Sequence, residues 1–337
     1  MKCGDNVLCQ KVTRDIVLYW STKHVRKKFT QMYLLYTDYL QLYTSRDSDN
    51  PMEQSPINTF PPSLGTLKQI PALTAGLPIF TFILCFLKNT LGFKFSSLIL
   101  YPTSPLEFNL NALSLYSLIH VGYLHWLLNI CAIFTPLAMY EKRHGTVYTG
   151  ITLNLLTVIA ALQYCIVGLF FYPETGVVGL SGVGFSFIAY MAYKEHQYKP
   201  VLETFNIGSR EIKIYTLAAP FIAAVVCLIV FPASSLPGHL AGISTGFLLA
   251  KGYINKLFPP SSIILKIENF VAPGIALIDQ IVSYHKEEDA VHVRSVQYAP
   301  ILAEGDAEAS SATTSVVQPQ PTRSSSYIRE THVLGGA

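Results

Sequence analysis

Residues 176–185, GVVGLSGVGF, join an apolar run that ends at Tyr172 to another that continues to Tyr193. A serine flanked by glycines is typical of membrane helices in close contact, because small residues let two backbones approach. The same hydroxyl would be a nucleophile if a base lay beside it. These ten residues alone favour the packing interpretation for Ser181, so the rest of the chain has to decide between the two.

The composition indicates a membrane protein. Half of the 337 residues are hydrophobic and only 13% are charged, whereas soluble domains have about 25% charged residues. The net charge of +3 is small and the basic residues form short clusters, so we expect no nucleic-acid partner. Four of the six cysteines lie inside apolar runs and no C-x-x-C spacing occurs, which favours buried thiols over metal ligands. No metal site is predicted.

Six apolar segments predict an all-α polytopic bundle of six transmembrane helices. A helix needs about 20 residues to cross a bilayer, and the fourth and fifth segments are short by that measure. A short fourth helix would leave room for a water-filled cavity above it. The predicted segments are residues 71–93, 113–140, 147–172, 176–193, 214–231 and 237–255.

The regions that flank this six-helix core, residues 71–255, are of three kinds. Residues 1–70 form a polar, basic arm, in which residues 1–51 would be an extension if translation began at Met52. Residues 256–285 mix apolar positions with charges, which indicates an amphipathic segment at the membrane interface, a seventh span being the alternative. Residues 286–337 are polar and rich in Ser, Thr, Ala and Pro, which predicts a disordered tail with no recognisable partner.

The distribution of Lys and Arg predicts the orientation in the membrane. One face has only Lys88 and Lys94, whereas the basic arm and the connections after segments two, four and six lie on the other. Both termini are therefore predicted to be cytosolic. The basic residues of those connections are Lys142, Arg143, Lys194, Lys199, Arg210, Lys213, Lys251 and Lys256.

Four polar residues lie within predicted spans and nearer the non-cytosolic face. His125 and Asn129 belong to segment two, Ser181 to segment four and His239 to segment six. Each has an ordinary explanation on its own, as a hydrogen bond between helices or to a backbone carbonyl. Three helices that each bring such a group to one region are harder to explain by packing, so the set favours a reactive site.

The chemistry that this set supports is acyl transfer. His239 can accept the proton of Ser181 and return it to the leaving amine. The acidic residues between 113 and 250 all lie in or beside loops, so a dyad is predicted rather than a triad. His125 and Asn129 are spaced i, i+4 on one helix face and can stabilise an oxyanion, together with free N–H groups around Ser181.

Four motifs resemble those of the rhomboid intramembrane serine proteases. GLSGVGF at 179–185 resembles the G-x-S-G-x-x-F nucleophile motif, and HVGYLHWLLN at 120–129 resembles H-x4-H-x3-N. GHLAGISTG at 238–246 resembles H-x-x-G-x-x-x-G, and YEKRHG at 140–145 resembles the E-x-x-x-G cap of the second helix. The resemblance covers about residues 70–255, and its three active-site motifs occur in order on alternate spans.

The resemblance implies a protease that cuts transmembrane segments of protein substrates within the lipid bilayer, without a metal or organic cofactor. It implies Ser181 as nucleophile, His239 as general base, and His125 and Asn129 as oxyanion stabilisers, with a structural role for His120. The layout is most similar to the fungal Golgi-type rhomboids, which implies a multi-pass protein of the Golgi membrane. The glycines that it places in close packing at the site are Gly179, Gly182, Gly242 and Gly246.

One departure from the family pattern keeps an alternative open. Many rhomboids have a Trp-Arg pair in the first loop, and residues 93–118 contain neither Trp nor Arg. The alternative is a catalytically inactive rhomboid-like protein that binds membrane clients, although Ser181 and His239 are both present. A transporter or channel is disfavoured because no charged residue lies in the middle of segments two to six.

Overall fold

The computed structural model describes residues 68–207 and 210–295, so the predictions for residues 1–67 lie outside the described part. Helices α1 to α4 are Ala72–Asn89, Leu110–Leu115, Tyr123–His144 and Thr146–Phe171. Helices α5 to α7 are Ser181–His196, Ala219–Val230 and Leu236–Ala250, and α8 to α10 are Ser261–Phe270, Ala272–Ile278 and Glu287–Ser295. Strands β1 and β2 are Val201–Ile207 and Arg210–Tyr215.

The core is a bundle of α1, α3, α4, α5, α6 and α7, which follow the predicted apolar segments in order. Within the described residues, three of these helices, α1, α3 and α4, are long and apolar enough to cross a membrane. The bent pair α8 and α9, at 76°, would be a fourth if counted as one span. A polytopic helical membrane bundle is thus confirmed, and the count of six spans stays a prediction.

The second predicted segment, 113–140, is divided in the structure. Helix α2 and a 3-10 turn at Tyr116–Leu118 occupy its first part, and α3 begins only at Tyr123. The carbonyls of His120 and Val121 accept hydrogen bonds from Lys88 Nζ, at 3.0 and 3.3 Å. These carbonyls thus accept from a side chain. In a continuous helix they would instead accept from backbone N–H groups four residues further along the chain.

Glu141 joins α1, α3 and α4 at the end of the bundle opposite Ser181. Its side chain is fully buried, and its carboxylate accepts 2.8 Å hydrogen bonds from the N–H groups of Leu73 and Thr74. The hydroxyls of Thr74 and Thr146 also donate to it at 2.8 Å. It therefore satisfies N–H groups that the first turn of α1 leaves unbonded. Gly145, at φ +91°, makes the turn from α3 into α4.

We expect Glu141→Gln to lower the free energy of unfolding by about 3 kcal/mol, because an amide nitrogen would then face donors in a buried site. Thermal unfolding in detergent measures the change. The matched control is Glu211→Gln, since Glu211 is exposed and its only described ion pair is with Lys213, at 3.4 Å. Such a surface pair contributes about 0–1 kcal/mol. Equal unfolding temperatures for the two variants would contradict the assigned role of Glu141.

Helix α10 corrects the predicted C-terminal tail. Arg294 donates to the carbonyl of His144 at 3.0 Å, and its guanidinium lies 4.1 Å from the ring centre of Tyr148. The carbonyl of His285 accepts from the N–H of Thr146 at 2.8 Å. The prediction of disorder from residue 286 is therefore wrong for 287–295, because these polar residues find partners on the α3–α4 turn. Residues 296–337 lie outside the described part.

Two further elements fall outside the six helices. The connection between α5 and α6 contains an antiparallel hairpin of β1 and β2, with Thr204 opposite Lys213. This hairpin was not predicted, because its strands are short and partly charged and lie outside the apolar segments. In the predicted interfacial segment 256–285, α8 and α9 expose apolar side chains such as Phe270 and Leu277. Its location at the membrane interface stays a prediction.

Candidate active site

Ser181 is the first residue of α5, and the backbone before it is held at two points. Val177 and Leu100 exchange N–H to O hydrogen bonds of 2.9 and 3.1 Å, and the N–H of Gly179 donates to the carbonyl of Tyr116 at 3.0 Å. Gly179 has φ +115°, a conformation that favours glycine. Gly184 is the first residue of α5 whose N–H joins the helical hydrogen-bond pattern, donating to the carbonyl of Leu180 at 2.9 Å. The N–H groups of the three residues at 181–183 come before that pattern.

Helices α5 and α7 approach closely at two glycines. A Cβ added to Gly242 would lie 2.1 Å from the carbonyl oxygen of Gly182, and one added to Gly246 would lie 2.1 Å from that of Ser186. The Ser186 hydroxyl also lies 2.8 Å from the Gly242 oxygen and 3.0 Å from the Gly182 oxygen, bridging the helices. The backbones are in direct contact, which sets the register of the two helices.

His239 lies in the first turn of α7 and is 2% exposed. Its ring centre is 4.4 Å from that of Phe185, which follows Ser181 by one helical turn on the same face of α5. Its Nδ1 is buried and has no hydrogen-bond partner in the described part of the chain. The structure therefore places the imidazole beside the Ser181 face of α5. No Ser181–His239 hydrogen bond is found among the described residues, and such bonds are often long without substrate.

The orientation of His125 can be inferred from its two sides. A Cβ added to Gly179 would lie 2.7 Å from His125 Cε1 and 3.0 Å from Nε2, so this edge of the ring covers the turn before Ser181. On its other side, Nδ1 accepts a 3.4 Å hydrogen bond from the N–H of Val121. A neutral imidazole that accepts at Nδ1 carries its hydrogen on Nε2. The N–H that faces the Ser181 turn is therefore a donor.

Asn129 lies one turn further along α3 and is 6% exposed. Its Nδ2 donates to the carbonyl of His125 at 2.7 Å, which leaves its second N–H available, and Oδ1 is buried without a described partner. His120 is buried, with its ring centre 5.3 Å from that of His125 at a steep angle. The structure thus brings His120 and Asn129 to His125, and no hydrogen bond between Asn129 and Ser181 is found in the part of the chain that the structure describes.

A small cavity of about 20 Å³ opens beside Ser181. A cavity needs roughly 10–15 Å³ to hold one water molecule, so this one has room for a water. Its lining includes Tyr116 and Tyr164, which could not be predicted, because nothing in an apolar run marks which tyrosine faces a cavity. The Tyr164 hydroxyl donates to the carbonyl of Thr175 at 2.8 Å. Other lining residues are Val177, Gly182 and Gly238.

The first loop, which has no Trp-Arg pair, is anchored by other contacts. Leu100 is fully buried and pairs with Val177, and the side-chain amide of Asn109 donates to the carbonyl of Ser97 at 2.9 Å. Gly168 of α4 leaves space for the ring of Pro102, since a Cβ there would lie 2.5 Å from Pro102 Cγ. The loop is therefore fixed to the strand-like segment before Ser181 and to α4.

A serine at a helix N-terminus, an imidazole on the adjacent helix and N–H donors at the same end are the groups that an intramembrane serine protease, as a class, requires. Comparison with known proteins agrees. A family model described as the rhomboid domain matches residues 107–256. The rhomboid-type serine protease 2 of Candida albicans is 52% identical over 282 residues, covering 82% of this chain and 96% of the relative.

Two more relatives carry the same name. That of Debaryomyces hansenii is 49% identical, covering 81% of this chain and 95% of the relative. That of Saccharomyces cerevisiae is 37% identical, covering 69% of this chain and 87% of the relative. The chain therefore belongs to the rhomboid family, and its identity to rhomboid-type serine proteases over most of its length supports serine protease activity.

Proposed function

We propose that the chain cleaves transmembrane segments of membrane proteins through a Ser181–His239 dyad. The observation that supports it most directly is the contact between α5 and α7 at Gly182 and Gly242. This contact holds the first residue of one helix and the first turn of the other at one end of the bundle. Because α5 and α7 pack backbone to backbone, the His239 ring lies 4.4 Å from that of Phe185, one helical turn after Ser181 on the same face of α5.

The proposed mechanism follows from these positions. His239 removes the proton from Ser181 Oγ as it attacks the substrate carbonyl carbon, which gives a tetrahedral oxyanion. The N–H groups at the start of α5 and the Nε2–H of His125 stabilise that oxygen, with the free N–H of Asn129 as a third source. His239 then protonates the leaving amine, the C–N bond breaks, and an acyl-enzyme remains on Ser181. Water at the Ser181 cavity then gives a proton to His239 as it attacks the acyl carbon; the bond from that carbon to Ser181 Oγ breaks, His239 returns the proton to Oγ, and the second product leaves as a carboxylic acid.

The proposed substrates are transmembrane segments that unwind readily near the Ser181 end of the bundle. The carbonyls of a substrate helix are bonded within it, so the helix must open before Ser181 can attack. Gly and Pro lower the cost of opening, because both are unfavourable in a helix interior, by about 1 and 3 kcal/mol relative to Ala. Substrates with Gly, Ser or Pro at that depth are therefore favoured.

The proposed location is the Golgi membrane, with both termini cytosolic. Two observations support it. Lys142 lies in the last turn of α3 and Lys251 directly follows α7, both at the end opposite Ser181, where most basic residues of the connections also lie. The layout of the sequence also resembles the fungal Golgi-type rhomboids.

Labelling with a fluorophosphonate tests the nucleophile directly. We expect wild-type protein in detergent to be modified on the peptide that contains Ser181, and to cut a reporter with one transmembrane segment. A control is Ser244→Ala, since Ser244 is an exposed serine of α7, and this variant should label and cut as wild type does. Labelling of another serine would contradict the assignment of Ser181 as nucleophile, and a wild type that neither labels nor cuts would favour the client-binding alternative.

A further inference from the structure

Lys88 lies in the last turn of α1 and is half-buried at the Ser181 end of the bundle. Its ammonium donates to the carbonyls of His120 and Val121, at 3.0 and 3.3 Å. Both carbonyls belong to the turn that precedes α3. The ion pairs among the described residues do not include Lys88, so the hydrogen bonds of its ammonium are those to the two backbone carbonyls of this turn.

The peptide group between His120 and Val121 connects Lys88 to the active site. Its oxygen accepts from Lys88 Nζ, and its N–H, on Val121, donates to His125 Nδ1 at 3.4 Å. Hydrogen bonds in series polarise one another, and a cation at the oxygen makes the N–H of the same peptide a better donor. An ammonium, a peptide and an imidazole therefore form one chain of hydrogen bonds.

This series of hydrogen bonds determines which nitrogen of His125 carries the hydrogen. With Nδ1 held as an acceptor, the hydrogen lies on Nε2, and that edge of the ring covers Gly179 in the turn before Ser181. The other tautomer would set two N–H groups against each other at Nδ1 and would leave a bare nitrogen toward the Ser181 turn. If the turn at residues 120–121 rotated, the Val121 N–H would no longer donate to His125 Nδ1, and nothing in this turn would then hold the hydrogen on Nε2.

We propose that Lys88 is a positioning residue for the reaction, which fixes the tautomer and ring orientation of His125 through the His120–Val121 peptide. This inference rests on the proposed function, because it assigns His125 an oxyanion role. Lys88 itself does not touch the substrate. A lysine that only capped a loop would affect folding, and its removal would act independently of His125.

A double-mutant cycle on the full-length protein separates these two roles. We expect Lys88→Met to lower kcat for the transmembrane reporter about 10-fold with KM unchanged, as loss of outer partners of functional histidines costs about 10–100-fold in metal sites. In a His125→Ala background, Lys88→Met should lower kcat no further. Lys88→Arg should restore much of the rate, because guanidinium also donates to carbonyls. Lys94→Met is the matched control, since Lys94 is exposed and follows the same helix.

The outcomes distinguish a failure of this inference from a failure of the proposed function. A 10-fold loss in both backgrounds, a change in KM alone, or no loss at all would overturn the role of Lys88 while Ser181→Ala stays inactive. Full activity of His125→Ala would overturn the oxyanion role and with it the inference. Full activity of Ser181→Ala would overturn the dyad. Thermal unfolding is measured for each variant, and Lys88→Gln, which keeps a neutral donor of shorter reach, replaces Lys88→Met if that variant unfolds.

Discussion

Ser181→Ala and His239→Ala are each expected to lower the cleavage rate of a single-span reporter by at least about 10⁴-fold. Without the hydroxyl no acyl-enzyme can form, and without the imidazole the hydroxyl keeps its proton at neutral pH. The two groups act as one unit, so the double variant should be no slower than either single variant. Initial rates in detergent or liposomes, at equal amounts of folded protein, measure the effect.

The matched control for His239 is His196→Ala. His196 ends α5, so it lies on the helix of Ser181 but at its other end. We expect this variant to cut within about threefold of wild type, since the half-buried His196 lies at the far end of α5 and, among the described residues, makes no contact with the reacting groups. Cleavage by His239→Ala at the rate of His196→Ala would show that His239 is not the base. If the fold-losses in cleavage rate of the two single variants multiply in the double variant, Ser181 and His239 contribute independently and not as one unit.

Most of the helical bundle could be predicted because apolar length and composition determine which segments can enter a membrane. The starts of helices were harder. The apolar run through residues 113–140 gives no sign that the helix begins at Tyr123, since the bonds that hold the turn come from Lys88, more than thirty positions earlier. The structure of residues 287–295 was likewise missed, because Arg294 finds its partners on the α3–α4 turn.

The candidate site was predictable to the extent that its residues share a motif or a helix. The spacing of His125 and Asn129 places them on one face, and the structure shows them joined by a 2.7 Å hydrogen bond from Asn129 to the His125 carbonyl. Helical spacing says nothing about which residues of other elements meet that face. The cavity tyrosines and Lys88 were missed for this reason, and Lys88 served only as a charge for orientation.

The contact between α5 and α7 explains why glycine is needed at Gly242 rather than merely tolerated. A Cβ at this position would lie 2.1 Å from the oxygen and 2.9 Å from the carbon of the Gly182 carbonyl, so it would meet backbone that has no rotamer to change. The next contact, one turn along, is equally close at Gly246. Sliding α7 to relieve the overlap would break the hydrogen bond from Ser186 to the Gly242 carbonyl.

We therefore expect Gly242→Ala to lower the free energy of unfolding by about 3 kcal/mol, the upper range for overpacking, and to lower cleavage by separating Ser181 from His239. Thermal unfolding and initial rates measure both effects. Gly184→Ala is the matched control, because Gly184 is buried in α5 but a Cβ there would meet nothing within 4 Å. In a helix that change gains up to about 1 kcal/mol. If both variants are as stable and active as wild type, α5 and α7 are not held together by direct backbone contact, and the observation that most directly supports the dyad fails with it.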